Sequence, residues 1–352
     1  MEIRLFRLKL PLKNGFRIAH GSYSFRENLF LELREGKAVA WGEAPIVPYY
    51  HLTIDEVEAD LRRGLAALSD GVSFPLEGKS APEFAHPVSR AAFGAALLSL
   101  RARLEGKTEA ELLGLGSGAE AASAPPTSFT VAYDDDPEAM AAVAASCGFR
   151  RLKVKAGIPG DIERIRLLRE RLPEAIIRVD ANQGWSPAEA PGKLRELERL
   201  GIELLEEPIA GSPAEFERLA ASTAIPILLD ESARSLDDLR RYAREAPSLA
   251  GFVVKTAKNG GPAASLALIR AAADEGLRAM LSSMVETSLG AGSALLLAPL
   301  CAWCDLDAPL LLAEDPFGGL GYEDESPRLA PGGVFPGPAL AASLTGLEPL
   351  KP

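Results

Sequence analysis

Short apolar runs that end in a charged residue recur along the middle of this chain. RLKVK ends at Lys155, IIRVD at Asp180, ELLEE at Glu206–Glu207, ILLDE at Asp230–Glu231 and GFVVK at Lys255. From Lys155 through Asp180, Glu206 and Asp230 to Lys255 the steps are 25, 26, 24 and 25 residues. Helix-patterned stretches fill the gaps at 161–172, 187–200 and 235–246. A strand, a helix and two short loops take about 25 residues, so the pattern predicts βα units on a parallel sheet. TSFTVAY (127–133) precedes the series, and RAMLSSMVE (278–286) and CAWCDLD (301–307) follow it. That makes eight strands over roughly residues 125–325, enough to close a barrel.

The rival arrangement, an open doubly wound sheet, calls for a glycine-rich phosphate loop after its first strand. AYDDDPEAM stands there instead. The first 120 residues carry a different pattern. IRLFRLKLPLK and ENLFLELREGKAVAWGEA read as antiparallel strands turning at Glu35-Gly36, followed by helical segments at 53–69 and 87–104. The expected fold is α/β: an α+β capping domain over residues 1–120, a TIM-like barrel over 121–325, and a Gly/Pro-rich segment, 326–352, that returns to the cap.

Composition narrows the function. With 38 Lys plus Arg against 49 Asp plus Glu, the net charge of −11 argues against nucleic acid or an anionic membrane surface as partner. MEIRLFRLKLPLKNGF lacks the apolar core of a signal peptide, and no run reaches the length of a membrane span. The expectation is a cytoplasmic protein acting on a small molecule, with association into a homo-oligomer possible. Cys301 and Cys304 form a lone C-x-x-C in an apolar run and are read as buried reduced thiols. The three histidines, His20, His51 and His86, all lie in the cap, which leaves no histidine chemistry to the barrel.

Barrel chemistry sits at the C-terminal ends of the strands, and here those ends are charged in register. Asp180, Glu206 and Asp230 are neighbouring carboxylates that would raise one another's pKa unless a cation joined them. Three oxygens on Mg²⁺ leave three octahedral positions for water and substrate. Glu207 and Glu231 stand beside two of these residues, and alternation alone does not say which of each doublet faces inward. Lys155 and Lys255 lie four strands apart in an eight-strand ring, hence on opposite sides. One amine can take a proton from a planar intermediate's precursor while the other returns one to the opposite face, which inverts a stereocentre. Lys153, two residues before Lys155, shares its face. Its charge is expected to lower the pKa of Lys155, and its ammonium to stabilise enolate charge.

These residues resemble the enolase superfamily, and within it the muconate lactonizing enzyme subgroup, along nearly the whole chain. The matching pieces are WGEAP, LKVKAG, RVDANQGW, EEP, LLDES, KTAKNGG and SMVETSLG. The resemblance implies a capping domain on a (β/α)7β barrel, Mg²⁺ as cofactor on Asp180, Glu206 and Asp230, and Lys155 with Lys255 as the acid–base pair. DLDAPLLLAEDPF (305–317) is similar to the dipeptide epimerases, whose Asp-x-Asp holds the substrate's α-ammonium group; Asp305 and Asp307 match it. The implied reaction is epimerisation at the C-terminal residue of an L,L-dipeptide, with Ser283 as a further substrate contact.

One position departs from the resemblance. Relatives that act on L-Ala-D/L-Glu carry a glutamate-binding arginine on the first cap loop, and Gly21 occupies that place here, with Arg17 and Arg26 as candidate substitutes outside the expected position. With Tyr49 and Tyr50 expected as aromatic walls from the second cap loop, a neutral or apolar second residue is predicted. Cycloisomerase or o-succinylbenzoate synthase chemistry would use the same lysines and metal but offers no ammonium to Asp305 and Asp307. A non-catalytic carboxylate-binding barrel would have no need of both Lys155 and Lys255.

Overall fold

The computed structural model describes residues 1–18, 21–66, 83–116, 124–331, 333–337 and 340. Its N-terminal part is an antiparallel sheet of β1 (Glu2–Ile18), β2 (Gly21–Glu35) and β3 (Ala38–Pro45), in that order. Gly36 makes the β2–β3 turn with φ 58°, a left-handed value that glycine adopts without strain. Both faces of the sheet are covered, which explains the nearly continuous apolar run in β2. Leu29, Leu31 and Leu33 pack with Leu5 under the helices α1 (Ile54–Ala66) and α2 (Pro87–Glu105). Phe30 points the other way, with Phe6, Leu8 and Leu10, onto Leu312, Phe317 and Leu340. Leu340 thus brings the C-terminal segment back to the cap strands. A one-turn helix, α3 (Glu109–Leu112), follows.

The barrel strands are β4 (Phe129–Val131), β5 (Arg151–Lys155), β6 (Ile176–Asp180), β7 (Leu204–Glu206), β8 (Ile227–Leu229), β9 (Gly251–Lys255), β10 (Arg278–Ser282) and β11 (Trp303–Asp305). Each pairs in parallel with the next, in chain order. One parallel bridge, Thr127 to Cys304, joins the ends and makes the sheet a nearly closed ring. Leu306 N donates to Thr127 Oγ1 at 2.7 Å at the same seam. The helices alternate with the strands: α4 (Pro137–Ser146), α5 (Asp161–Arg171), α6 (Ala190–Arg199), α7 (Pro213–Ala220), α8 (Leu236–Glu245), the pair α9 (Thr256–Asn259) and α10 (Pro262–Asp274), α11 (Ser288–Leu295) and a final single turn, α12 (Ala308–Leu311). The expected helices at 161–172, 187–200 and 235–246 appear with no end trimmed by more than three residues. Among the described residues no helix is long and apolar enough to cross a membrane. Cys301 and Cys304 are buried and unpaired, as expected, and burial pushes the Cys301 thiol up to about 12.

The cap docks through β3 and α2. Gly42 lies so close to α2 that a Cβ there would stand 1.9 Å from the Ala92 carbonyl oxygen. Ala257 of α9 and Met284, beyond β10, join the cap's apolar cluster and tie it to the barrel rim. Gly42→Ala is therefore expected to lower stability by about 1–3 kcal/mol, the usual range for overpacking. Denaturant unfolding with an unchanged midpoint would show that β3 and α2 are farther apart than described.

Candidate active site

Alternation along the strands divides their side chains into two sets. Leu205, Leu229, Val254 and Leu281 belong to the core between strands and helices. Leu204, Leu228, Val253, Met280 and Trp303 form a separate plug inside the ring. Two residues after each plug member, on the same side and toward the strands' C-terminal ends, come Glu206, Asp230, Lys255, Ser282 and Asp305. Lys155 pairs in register with Asp180 and Asp180 with Glu206; Lys255 pairs with Ser282 and Ser282 with Asp305. This parity resolves both doublets. Glu206 and Asp230 point into the ring, while Glu207 and Glu231 take other partners.

Lys153 and Lys155 share the inner face, as predicted, but Lys153 is embedded in carboxylates. Its Nζ lies 2.8 Å from Asp305 Oδ2, 2.8 Å from Glu206 Oε2 and 3.1 Å from Asp180 Oδ2. Burial disfavours its charge, yet Asp305, Glu206 and Asp180 together outweigh burial and raise its pKa well above the ordinary lysine value. Lys155 donates to Asp180 Oδ2 at 2.7 Å and to Asn182 Oδ1 at 3.3 Å. Across the ring Lys255 pairs with Asp230. Lys258 donates to Asp230 Oδ1 at 2.6 Å and to the Val253 carbonyl at 2.8 Å. Burial would raise Asp180 and Asp230, but these ammonium groups hold both carboxylates far below their usual range.

Glu206 is different. It is fully buried, and neither carboxylate oxygen accepts a hydrogen bond; Lys153 stands near it as an ion pair without hydrogen-bond alignment. Burial first, then the charge of Asp180, raises its pKa to about 8. A buried carboxylate without hydrogen-bond donors, between two others on adjacent strands, suits a hard divalent cation. In the present arrangement no three carboxylates converge on one point among the described residues. Their oxygens face ammonium groups instead, which would compete with a cation for them.

A cavity opens above this layer, lined among others by Lys153, Lys155, Lys255, Ser283, Asp305 and Asp307. Asp305 accepts from Ser128 Oγ at 2.7 Å and Ser282 Oγ at 3.0 Å. Asp307 lies beyond the strand, as the N-cap of α12, and accepts from Thr130 N at 2.5 Å. Period two therefore does not carry as far as Asp307, although both carboxylates reach the same cavity. Burial and the charge of Asp305 push Asp307 up to about 7.

The cap contributes Arg26, Ile46 and Val47 to the cavity wall. Arg26 is buried and lies over the Tyr23 ring at 3.6 Å. Gly21 pairs with Ile18 in the β1–β2 ladder and is not among the lining residues. Tyr50 is likewise outside the lining: it packs on the cap cluster with the Arg234 guanidinium over its ring. Tyr49 belongs to the 3₁₀ turn Pro48–Tyr50, and its side chain and His20 lie outside the described residues.

Sequence reasoning missed Lys258 and Glu43, while Arg26, one of two candidate substitutes for the absent cap-loop arginine, does line the wall. Lys258 stands three residues after Lys255, a K-x-x-K spacing that marks one helical face and was its only signal. Glu43 and Glu286 are buried together where the cap meets the barrel. Glu43 accepts from Asn28 Nδ2 at 2.7 Å, Thr287 Oγ1 at 2.6 Å and Gly290 N at 3.1 Å. Glu286 accepts from Met284 N at 2.9 Å. Burial raises both, Glu43 to about 7 and Glu286 to about 8, and the charge of Glu43 adds to the shift of Glu286.

A family model described as enolase C-terminal domain-like matches residues 136–317. The L-Ala-D/L-amino acid epimerase of Flavobacterium johnsoniae is 29% identical over 334 residues, covering 92% of this chain and 95% of its own. Among solved structures, an enolase family member from Agrobacterium tumefaciens has homology to dipeptide epimerases and was determined with sodium and L-Ala-L-Glu. It is 31% identical with a TM-score of 0.83, covering 93% of this chain and 97% of its own. The dipeptide epimerase of Cytophaga hutchinsonii, complexed with Mg and D-Ala-L-Val, has a TM-score of 0.85 at 26% identity, covering 99% and 98%.

The Glu43–Glu286 pair sets a pH dependence. Both pKa values are raised in the fold, so their ionisation opposes folding. The loss begins above the unfolded value near 4.5 and is complete once pH passes about 8. Glu286→Gln fixes the neutral form. Its stability relative to the parent is expected to rise between pH 5 and 9, by on the order of 2 kcal/mol. Parallel stability curves across that range would contradict the shared burial.

Proposed function

We propose that this chain, which belongs to the enolase superfamily as a dipeptide-epimerase-like member, inverts the α-carbon of the C-terminal residue of a dipeptide by two-lysine proton transfer. It is an isomerase, and Mg²⁺ is its cofactor. The observation that carries the reading is the placement of Lys155 and Lys255 on opposite sides of one ring, lining one cavity, with buried carboxylates between them.

Asp180, Glu206 and Asp230 would hold the Mg²⁺, which when bound supplies positive charge against the substrate carboxylate. One lysine, as the free amine, takes the α-proton: the C–H bond breaks, an N–H bond forms, and the electron pair passes into the carboxylate as an enolate. The opposite lysine, as ammonium, then gives its proton to the other face, and a new C–H bond forms with inverted configuration. Lys153, kept charged by its three carboxylates, places fixed positive charge where the enolate gathers its electrons. Asp305 and Asp307 receive the substrate's ammonium group. An incoming cation relieves their mutual repulsion and favours the ionised form of Asp307, which burial and Asp305 oppose.

Asp307 lies beyond the strand end, on the cavity wall, and a dipeptide's added peptide unit lets its ammonium group reach that residue while its carboxylate meets the lysines. Cycloisomerisation or o-succinylbenzoate formation would bring no cation to relieve the repulsion between the two aspartates. The second residue needs revision. Gly21 pointed to a neutral side chain, but Arg26 brings a buried guanidinium to the same cavity from a different position. Acidic second residues are accepted on this account, alongside apolar ones that meet Ile46, Val47 and Leu311.

Incubation of an L,L-dipeptide panel in D₂O with Mg²⁺ should show deuterium entering the C-terminal α-carbon; no exchange with any member would overturn the function. N-acetylation of the best substrate should lower kcat/KM by ~30-fold or more, because it removes the cation that relieves the repulsion between Asp305 and Asp307. Equal turnover of both forms would remove the ammonium role. Arg26→Leu should reduce exchange of L-Ala-L-Glu about tenfold or more while sparing L-Ala-L-Leu, in line with a lost charge-assisted contact; equal effects on both would remove Arg26 from substrate recognition.

A further inference from the structure

Asn182 has no part in the proton transfers or cation binding described above, yet it contacts the base directly. It is the last residue of the Asp-x-Asn motif at the end of β6 and is almost wholly buried. Its Oδ1 lies 3.3 Å from Lys155 Nζ, and its Nδ2 donates to Glu231 Oε1 at 3.0 Å. Glu231 offers an acceptor oxygen to the amide, so the NH₂ end is drawn to Glu231 and the carbonyl end is left facing Lys155. Asp180, the other hydrogen-bonding partner of Lys155, is already assigned to the cation.

The backbone is committed to this placement. Asn182 and Gln183 both have left-handed φ, 43° and 62°, which a non-glycine residue adopts only where its surroundings require it. Asn182 N donates to Asp180 Oδ1 at 3.0 Å, and Gln183 N donates to the Glu207 carbonyl at 2.8 Å. Glu207 also accepts from Gln183 Nε2 at 2.8 Å. The loop is pressed onto the one after β5: a Cβ at Gly184 would stand 2.4 Å from Gly157 Cα. The turn that carries Asn182 is thus braced against the strand that carries Lys155.

We infer that Asn182 is a positioning residue for Lys155: its carbonyl oxygen fixes the direction of the amine, and Glu231 fixes the amide. The inference rests on the two-lysine function proposed above. A neutral oxygen holds the amine without binding it as a second carboxylate would. Because Lys155 serves one face of the substrate, loss of Asn182 acts on that face.

The test is epimer-resolved deuterium exchange, with the best dipeptide of the panel and its L,D epimer as probes, Mg²⁺ present, in the parent enzyme and in Asn182→Gly. Glycine accepts the left-handed φ and deletes the amide. A second variant, Glu231→Gln, keeps a side chain there but offers the amide a donor as well as an acceptor. Both should slow exchange of the epimer whose α-hydrogen faces Lys155 by about tenfold or more, as a misaimed reacting group does, and leave the other epimer within about twofold. Equal slowing of the two epimers, or no slowing of either, overturns the positioning role while the function stands. Absence of exchange in the parent enzyme overturns the function and the inference with it.

Discussion

Carboxylates buried side by side are tolerable only where positive charge is buried with them, and the barrel mouth is built around that constraint. Withdrawing an ion from water costs several kcal/mol even after relaxation. Asp180, Glu206 and Asp230 are nonetheless fully buried. Lys153, Lys155 and Lys255 supply the compensating charge from strands on both sides, and Lys258 adds to it from α9. The compensation is uneven: Asp180 and Asp230 are held ionised, while Glu206, with no hydrogen bond, is pushed toward its neutral form. A ring of charge that is nearly balanced but incompletely bonded is poised to accept a cation and an anionic substrate.

The same strand geometry supplies the chemistry. Parallel pairing sets Lys155, Asp180 and Glu206 side by side, and the inward face of β9 brings Lys255 to the same cavity from across the ring. Side chains that must meet a small substrate from two faces are therefore fixed by backbone register rather than by loops. The cap closes the mouth with Arg26, Ile46 and Val47, and its own attachment runs through the buried Glu43 and its bonds to Thr287 and Gly290.

Much of this was legible in the sequence because it is local and periodic. The 25-residue step located the strands and their charged ends, and strand alternation predicted that Lys153 and Lys155 share a face. The doublets at Glu206–Glu207 and Asp230–Glu231 were ambiguous, since alternation needs a reference; the apolar plug of Leu204 and Leu228 provides it. Asp307 was named with Asp305, but it reaches the cavity from a helix N-cap and not from the strand face, because the strand stops at Asp305. Lys258 was harder still, and sequence alone did not choose Arg26 over Arg17. Their roles depend on which strand end or cavity they meet in three dimensions, and Arg26 arrives only through the docking of the cap sheet. Tyr50 was misplaced for the same reason: an aromatic residue in a cap segment can face the cap's own core as readily as the substrate.

The opposed lysines are the claim on which the account turns, and their separate replacement measures it most directly. Each single variant, Lys155→Ala and Lys255→Ala, is incubated with the two epimers of a substrate dipeptide in D₂O with Mg²⁺. Net epimerisation should cease in both, and any deuterium uptake that survives should appear in opposite epimers, each lysine labelling the face it serves. Uptake into the same epimer by both variants would contradict the arrangement.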